Sequence, residues 1–337
     1  MAEITIKYLA QKLNLAPSTV SRALNDSHEI SDATKMKVLA LAEELNFQPN
    51  PYARSLREQK SKTIGVIIPE RINNFFSQVI DGMESVTRAY GYHLLVYNSN
   101  EDTEQEKNIL SLLIGGRVDA IVMSISRFDQ KSDHIDKLKK RNTPVVFFDR
   151  ISTNFPTTKF ITNDYEVGYQ GTVHLIEKGC KKILFLMLSN ENSNGIERLR
   201  GFKDALKKKN ITFEANWVIE CSHSDEKNIA LLESIFYKLD RPDGVLASVE
   251  KLALATYRAL SRTHIKIPEQ VRVVSFSNMK IADLLHPPLT TISQPAYEIG
   301  EECAKLLIKK LTKKNQPDLE DKIVTIPSVF TERESSK

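Results

Sequence analysis

Residues 17–25 gather side chains suited to one kind of chemistry. Ser18, Thr19 and Ser21 carry hydroxyls, Asn25 an amide and Arg22 a guanidinium, all behind Pro17. Short hydroxyls and amides reach phosphate oxygens, and arginine takes guanine through two acceptors. Val20 and Leu24, four residues apart, give the same stretch an apolar side. Just upstream, Ile6–Leu13 places Ile6, Leu9, Ala10 and Leu13 on one helical face. Asn14-Leu15-Ala16 then makes a tight turn, because asparagine tolerates the left-handed conformation, and Pro17 suits a first helical position. Two short helices on such a turn are the helix-turn-helix unit, whose second helix enters the DNA major groove. A plain three-helix bundle with a polar outer face fits the same pattern. Bulk charge does not separate the two, since residues 1–60 hold eight basic and seven acidic side chains. The positive charge is local: Arg54, Arg57, Lys60 and Lys62 cluster together, where neutralising phosphates would release counterions.

A second set of polar residues follows apolar runs. Asn73 and Phe75 come after Thr63–Pro69, Ser124 after Ala120–Met123, and Asp149 and Arg150 after Val145–Phe148. Asn163 and Asp164 follow Lys159–Thr162. Polar residues at the carboxyl ends of parallel strands are where doubly wound folds bind ligands. Asp149-Arg150 also reads as a surface ion pair, and Phe75 as core.

The elements behind these residues divide the chain. The first sixty residues read as helices only: Ile6–Leu13, Pro17–Asn25 and Asp32–Leu45. From Thr63, strands alternate with helices near Phe75–Tyr90, Glu104–Ile114 and Lys131–Arg141, and His93–Tyr97 and Ile183–Leu188 add further strands. Such alternation implies right-handed parallel units with helices on both faces. Two series over about 270 residues exceed one compact sheet, so two α/β lobes are expected. Between helices and lobes, Pro51–Arg57 spans two turns at most, too short to persist alone in water. The 337 residues are 41% hydrophobic and 27% charged with a net charge of +4, ordinary for a soluble globular chain. No apolar run approaches membrane length, and the start shows no signal-peptide pattern. Cys180, Cys221 and Cys303 are odd in number and lack CxxC spacing, so a reducing cytoplasm without a disulfide framework or cysteine zinc site is expected. No nucleophile-elbow, P-loop or zincin motif is present, which weighs against an enzyme on a doubly wound fold. A transport-type binding protein would need a signal peptide and no DNA-reading segment.

Thr5-Ile6-Lys7-Tyr8-Leu9-Ala10, Ser18 through Asn25, Val38-Leu39 through Asn50 and Ala53-Arg54-Ser55-Leu56-Arg57 together resemble the LacI/GalR (lactose-repressor) family of bacterial transcription regulators. Ile64–Pro69, Phe148-Asp149-Arg150, Arg198-Leu199-Arg200-Gly201-Phe202 and Pro288–Ile292 resemble its core signatures, so the likeness runs over essentially the whole chain. The resemblance implies an α/β architecture: an N-terminal three-helix helix-turn-helix domain plus a two-lobed core of parallel sheets like that of periplasmic binding proteins. The expected divisions are residues 1–49 for DNA binding and 50–62 for a hinge helix and linker. The first lobe is expected from 63–161 with 292–321 and the second from 162–291 with 322–337, with crossings near Phe160–Asn163, Thr290–Gln294 and Asp321–Val324.

By the same resemblance, Pro17, Ser18 and Arg22 read operator bases, while Thr19, Ser21 and Asn25 hold phosphates. Thr5, His28, Asn50, Tyr52, Ala53 and Arg54 complete the DNA-contacting set, and Leu56 is the minor-groove wedge. Arg198 matches a ligand-gripping arginine. The expected effector set is Asn73, Phe75, Ser124, Asp149, Arg150, Asn163, Arg198, Glu250 and Ser277. Implied partners are a double-stranded palindromic operator, a second copy of the chain, and a sugar, sugar phosphate or uronate, with no cofactor, metal or membrane. The chain departs from the family at Val249-Glu250, where Asn-Asp is usual, and at Ser275-Phe276-Ser277, where Gly-Phe-Asp is usual. Losing that aspartate points to an anionic or phosphorylated effector, or to a grip from Glu250 and Asn278.

Overall fold

A computed structural model describes residues 4–47, 60–126, 135, 138, 143–188, 192–313 and 317–337. The chain forms two compact units, residues 1–61 and 62–337.

The first unit contains α1 (Ile6–Leu13), α2 (Pro17–Leu24) and α3 (Asp32–Glu44). Thr5 caps α1 by accepting from the Tyr8 N–H, and Asn14 ends it at φ 53°, as an αL cap whose own N–H returns to Ala10 and Gln11. Leu9, Ala10, Val20, Ala23, Val38 and Ala42 form the core, with Ile6, Leu13 and Leu24 packed around them. A core this small leaves most of α2 facing out.

The second unit holds two parallel sheets built on the same plan. The first comprises β1 (Thr63–Ile68), β2 (His93–Asn98), β3 (Ala120–Met123), β4 (Val145–Phe148), β5 (Lys159–Ile161) and β11 (Ile323–Thr325), in the order β2-β1-β3-β4-β5-β11. The second comprises β6 (Ile183–Met187), β7 (Val218–Glu220), β8 (Gly244–Ala247), β9 (Arg272–Phe276), β10 (Thr290–Ser293) and β12 (Val329–Thr331), in the order β7-β6-β8-β9-β10-β12. Among the described residues, only the β10–β12 pair is antiparallel. The central strands are buried on both faces, which explains their unbroken Val, Ile, Leu and Phe runs.

The covering helices of the first lobe include α4 (Asn74–Thr87) and α5 (Thr103–Ile114). Those of the second are α6 (Asp164–Glu177), α7 (Ser193–Lys208), α8 (Asp225–Phe236) and α9 (Glu250–Arg262). α10 (Ala296–Thr312) returns to pack on α4. Of the helix expected at Lys131–Arg141, only Ile135 and Leu138 are among the described residues, both buried in the first lobe.

Two expected crossings shift. β10 belongs wholly to the second sheet, so the boundary expected at 291/292 moves beyond Ser293. Ile323–Thr325 pairs in parallel with Lys159–Ile161, so the crossing expected at Asp321–Val324 instead follows Ile326. The reason is a short final strand: Ile323, Val324 and Thr325 are too few to show a period.

Glycine sets how closely α6 and α7 approach. A Cβ at Gly201 would collide with the Tyr165 carbonyl oxygen and come within 2.7 Å of the Tyr169 nitrogen. A Cβ at Gly168 would stand 2.7 Å from the Arg198 carbonyl oxygen. Backbones this close bring the start of α6 to the middle of α7. Gly201→Ala is therefore expected to destabilise the core domain by about 1–3 kcal/mol through overpacking, read by urea denaturation.

Candidate functional site

In the first unit, Pro17, Ser18, Arg22, Asn25 and His28 are exposed, as is Thr5 at the cap of α1, while Thr19 and Ser21 are half-buried. The exposed face of α2 therefore carries the hydroxyl, amide and guanidinium groups together. The Asn25 amide donates to the Ser21 carbonyl at 2.7 Å, and Arg22 pairs with Glu29 at 2.9 Å. Glu29 was not anticipated, because its pairing depends on the turn between α2 and α3. Asn50, Tyr52, Ala53, Arg54 and Leu56 lie outside the described residues.

In the second unit, strand ends from both sheets meet at a cleft. Asn73, Phe75, Asp149, Arg150, Arg198, Glu250 and Ser277 all line it, joined by Phe76, Asn194, Ser248, Val249, Phe276, Asn278 and Gln294. The cleft is narrow, with a volume of about 40 Å³. Its walls touch directly. Asn194 of α7 donates to Asp149 at 2.9 Å, and the Ile151 N–H donates to Ser193 at 3.3 Å. Gln294, on the chain crossing between lobes, donates to Asp149 at 3.4 Å and to Thr162 at 3.3 Å.

Two guanidiniums are buried here, one from each lobe. Arg198 lies across the Phe276 ring at 3.9 Å, donates to Asp164 through Nε at 2.6 Å, and donates to the Ser248 carbonyl through Nη1 at 2.6 Å. Burial pushes the Asp164 carboxyl above its ordinary pKa; Arg198 opposes this and nearby Asp149 adds to it. Arg150 donates to Glu101 at 3.1 Å and lies 3.9 Å from Asp149. Arg150 and Asp149 are both buried, so the surface-pair reading fails. Among the described residues, Arg150 Nε and Nη1 and Arg198 Nη2 have no hydrogen-bond partner although buried. Unmet buried donors are costly, so a cleft that keeps three of them is suited to an acceptor-rich ligand.

Strained backbone aims the acids. Asp149 and Glu101 both sit at φ 58°, a left-handed conformation unusual outside glycine. Glu101 could not be placed from sequence, since nothing marked the turn after β2 as left-handed.

Two expected residues do not reach the cleft lining. Ser124 is fully buried, and its hydroxyl accepts from the Arg150 N–H at 3.4 Å, so it supports the strand end instead. Asn163 accepts from the Ser328 N–H at 2.8 Å, tying two crossings, and borders an adjoining groove of about 540 Å³ beside α6 that shares Asp149 and Asn194 with the cleft. Asn73 lines the cleft while its side chain caps α4, accepting from the Phe75 N–H at 2.9 Å. Removing one partner of a buried ion pair leaves the other uncompensated. Asp164→Ala is thus expected to lower stability by about 3–5 kcal/mol in chemical denaturation, and Asp164→Asn, which keeps an acceptor, by less.

Comparison with known proteins places this arrangement. Residues 5–50 match the family described as bacterial regulatory proteins, lacI family. Residues 61–333 match the family of periplasmic binding proteins and the sugar-binding domain of the LacI family. The HTH-type transcriptional repressor PurR of Vibrio vulnificus is 32% identical over 311 residues, covering 92% of each chain. A crystal structure of the lac repressor dimer bound to operator and the anti-inducer ONPF shares the fold at TM-score 0.86, with 22% identity over 99% of each chain. A LacI family regulator from Enterococcus faecium with bound ribose aligns at TM-score 0.71 and 26% identity, covering 81% of this chain and 98% of its own. The exposed polar face of α2 and the two-lobed cleft thus belong to one known design: this chain is a member of the LacI family, non-enzymatic DNA-binding transcription regulators with an effector domain like a periplasmic binding protein.

Proposed function

We propose that this protein represses a metabolic operon, binding a palindromic operator as a homodimer under control of a small anionic effector in the cleft. Pro17, Ser18 and Arg22 face the bases, Thr19, Ser21 and Asn25 hold the backbone phosphates, and Thr5 and His28 add further DNA contacts. The segment over residues 50–62 adds DNA contacts from Asn50, Tyr52, Ala53 and Arg54 and carries Leu56 to the minor groove. There an apolar wedge unstacks a base step, at a cost of a few kcal/mol offset by wider contact on bent DNA. The operator-bound, dimeric relative supports this reading, and a two-fold operator follows from a two-fold protein. Such a regulator works in the bacterial cytoplasm at the nucleoid; no helix among the described residues is long and apolar enough to cross a membrane.

The three unmatched guanidinium donors carry the effector reading. A carboxylate or phosphate on a sugar frame offers planar or clustered acceptors to Arg150 and Arg198 from opposite lobes. Phe75, stacked against Phe148 at 6.5 Å, supplies an apolar wall for a sugar ring. The ribose-bound relative supports a sugar frame. Ligand and operator then change each other's affinity by the same factor, because both bias one equilibrium of the core.

Leu56→Ala should weaken binding to an operator found by binding-site selection while leaving effector affinity nearly intact; unchanged gel shifts would remove the wedge. A calorimetric screen of neutral sugars, sugar phosphates and uronates should find binding among the charged ligands. Arg150→Ala should weaken that binding by about tenfold or more, the scale of one lost charge-assisted bond. Tight binding of a plain neutral sugar, insensitive to Arg150, would overturn the anionic assignment.

A further inference from the structure

One carboxylate is held by both walls of the cleft. Glu250 is the first residue of α9, in the second lobe. Its Oε1 accepts from the Asn74 backbone N–H at 3.3 Å and from the Asn74 side-chain amide at 2.8 Å, both on the first lobe. Its Oε2 accepts from the Ser277 hydroxyl at 3.3 Å and from the Asn278 N–H at 3.2 Å, both on the second. Each oxygen therefore serves a different lobe, and the carboxylate bridges them. The neighbouring residues tie the same edge. Lys251 pairs with Glu70 across the cleft at 2.8 Å. The Gln78 amide donates to the Asn278 carbonyl at 2.9 Å, and the Asn278 amide donates back to Gln78 at 3.2 Å. The space left between these contacts is narrow, about 40 Å³.

We propose that the Glu250 carboxylate is a built-in occupant of the cleft: it holds the lobes closed in the effector-free protein, and an effector enters by taking over its donors. Closure stands on the hydrogen bonds alone; the second half of the proposal rests on reading this cleft as the effector site. Those donors are spaced for two acceptor oxygens on one centre. A ligand carboxylate or phosphate reproduces that pattern. A neutral hydroxyl offers one oxygen, brings a proton of its own, and leaves Glu250 charged beside it. Displacing Glu250 also removes a negative charge from the space that Arg150 and Arg198 line. Glu250 thus couples the choice of ligand to the state of the hinge. A ligand shifts that state only through its different affinity for the two forms.

The test uses the full-length protein with spin labels at Glu104→Cys in the first lobe and Leu239→Cys in the second. The native Cys180, Cys221 and Cys303 are buried, which keeps labelling selective. Labelled chains are diluted with unlabelled ones, so that the measured distances lie within one chain. Without any ligand, the parent should give one narrow interlobe distance. Glu250→Ala and Glu250→Gln should both broaden and shift it, since an amide retains only one acceptor oxygen. The near-isosteric Gln variant serves if the Ala variant fails to melt cooperatively. An unchanged distance in a folded variant, or a broad one in the parent, overturns the latch. Glucuronate should bind Glu250→Ala about tenfold more tightly than the parent, because the competing closed state is removed. Closure lost in the variants, with no binding of glucuronate or inorganic phosphate to either form, would sink the displacement step and count against the effector reading while leaving the latch intact.

Discussion

A guanidinium cannot be buried between two lobes unless something holds its charge, and that requirement organises the core of this protein. Arg198 is nearly inaccessible and is held on three sides: by the Asp164 carboxylate, the Ser248 carbonyl and the Phe276 ring. Each partner sits at the end of a different element. Asp164 opens α6 where the chain first crosses between lobes, Ser248 follows β8, and Phe276 ends β9. The pair exists because α6 and α7 touch backbone to backbone at Gly168 and Gly201. A methyl group at either glycine would part the helices and draw the arginine from its acid. Fold and site are therefore linked through close helix contact as much as through charge.

The same logic separates what sequence patterns reveal from what they hide. Local rules were enough for the first unit. Asn14 takes the left-handed cap that its side chain tolerates, and Pro17 opens α2 with the missing N–H where none is needed. Buried strands announced themselves as unbroken apolar runs, so the residues just beyond them could be named as cleft candidates. What stayed hidden depends on contacts distant in sequence. Asn74 reaches a partner 176 residues away. Glu101 arrives at Arg150 only because its backbone turns left-handed. Ser124 reads as a strand-end ligand group, but its buried hydroxyl accepts from the Arg150 N–H instead. The β5–β11 pairing is hidden because a strand of three residues is too short to show a period, however well its β-branched side chains suit a sheet edge.

The departures from the family pattern also take on physical meaning together. Ser277 stands where an aspartate is usual, which by itself would strip the cleft of an acceptor. Glu250, where an aspartate is usual, keeps a carboxylate in the same neighbourhood from another element, within 3.3 Å of the Ser277 hydroxyl. One acid is lost at Ser277, and the one that remains at Glu250 stands on a longer stem than the aspartate usual there. A carboxylate on the short aspartate stem at the end of β9 would answer to its own lobe. On the longer stem at the start of α9, it reaches Asn74 in the other lobe. With the acid at the end of β9 gone, the longer acid at the start of α9 is the one that spans the hinge. In a protein whose output depends on how the lobes sit, that difference in tether bears directly on which state the molecule holds when nothing is bound.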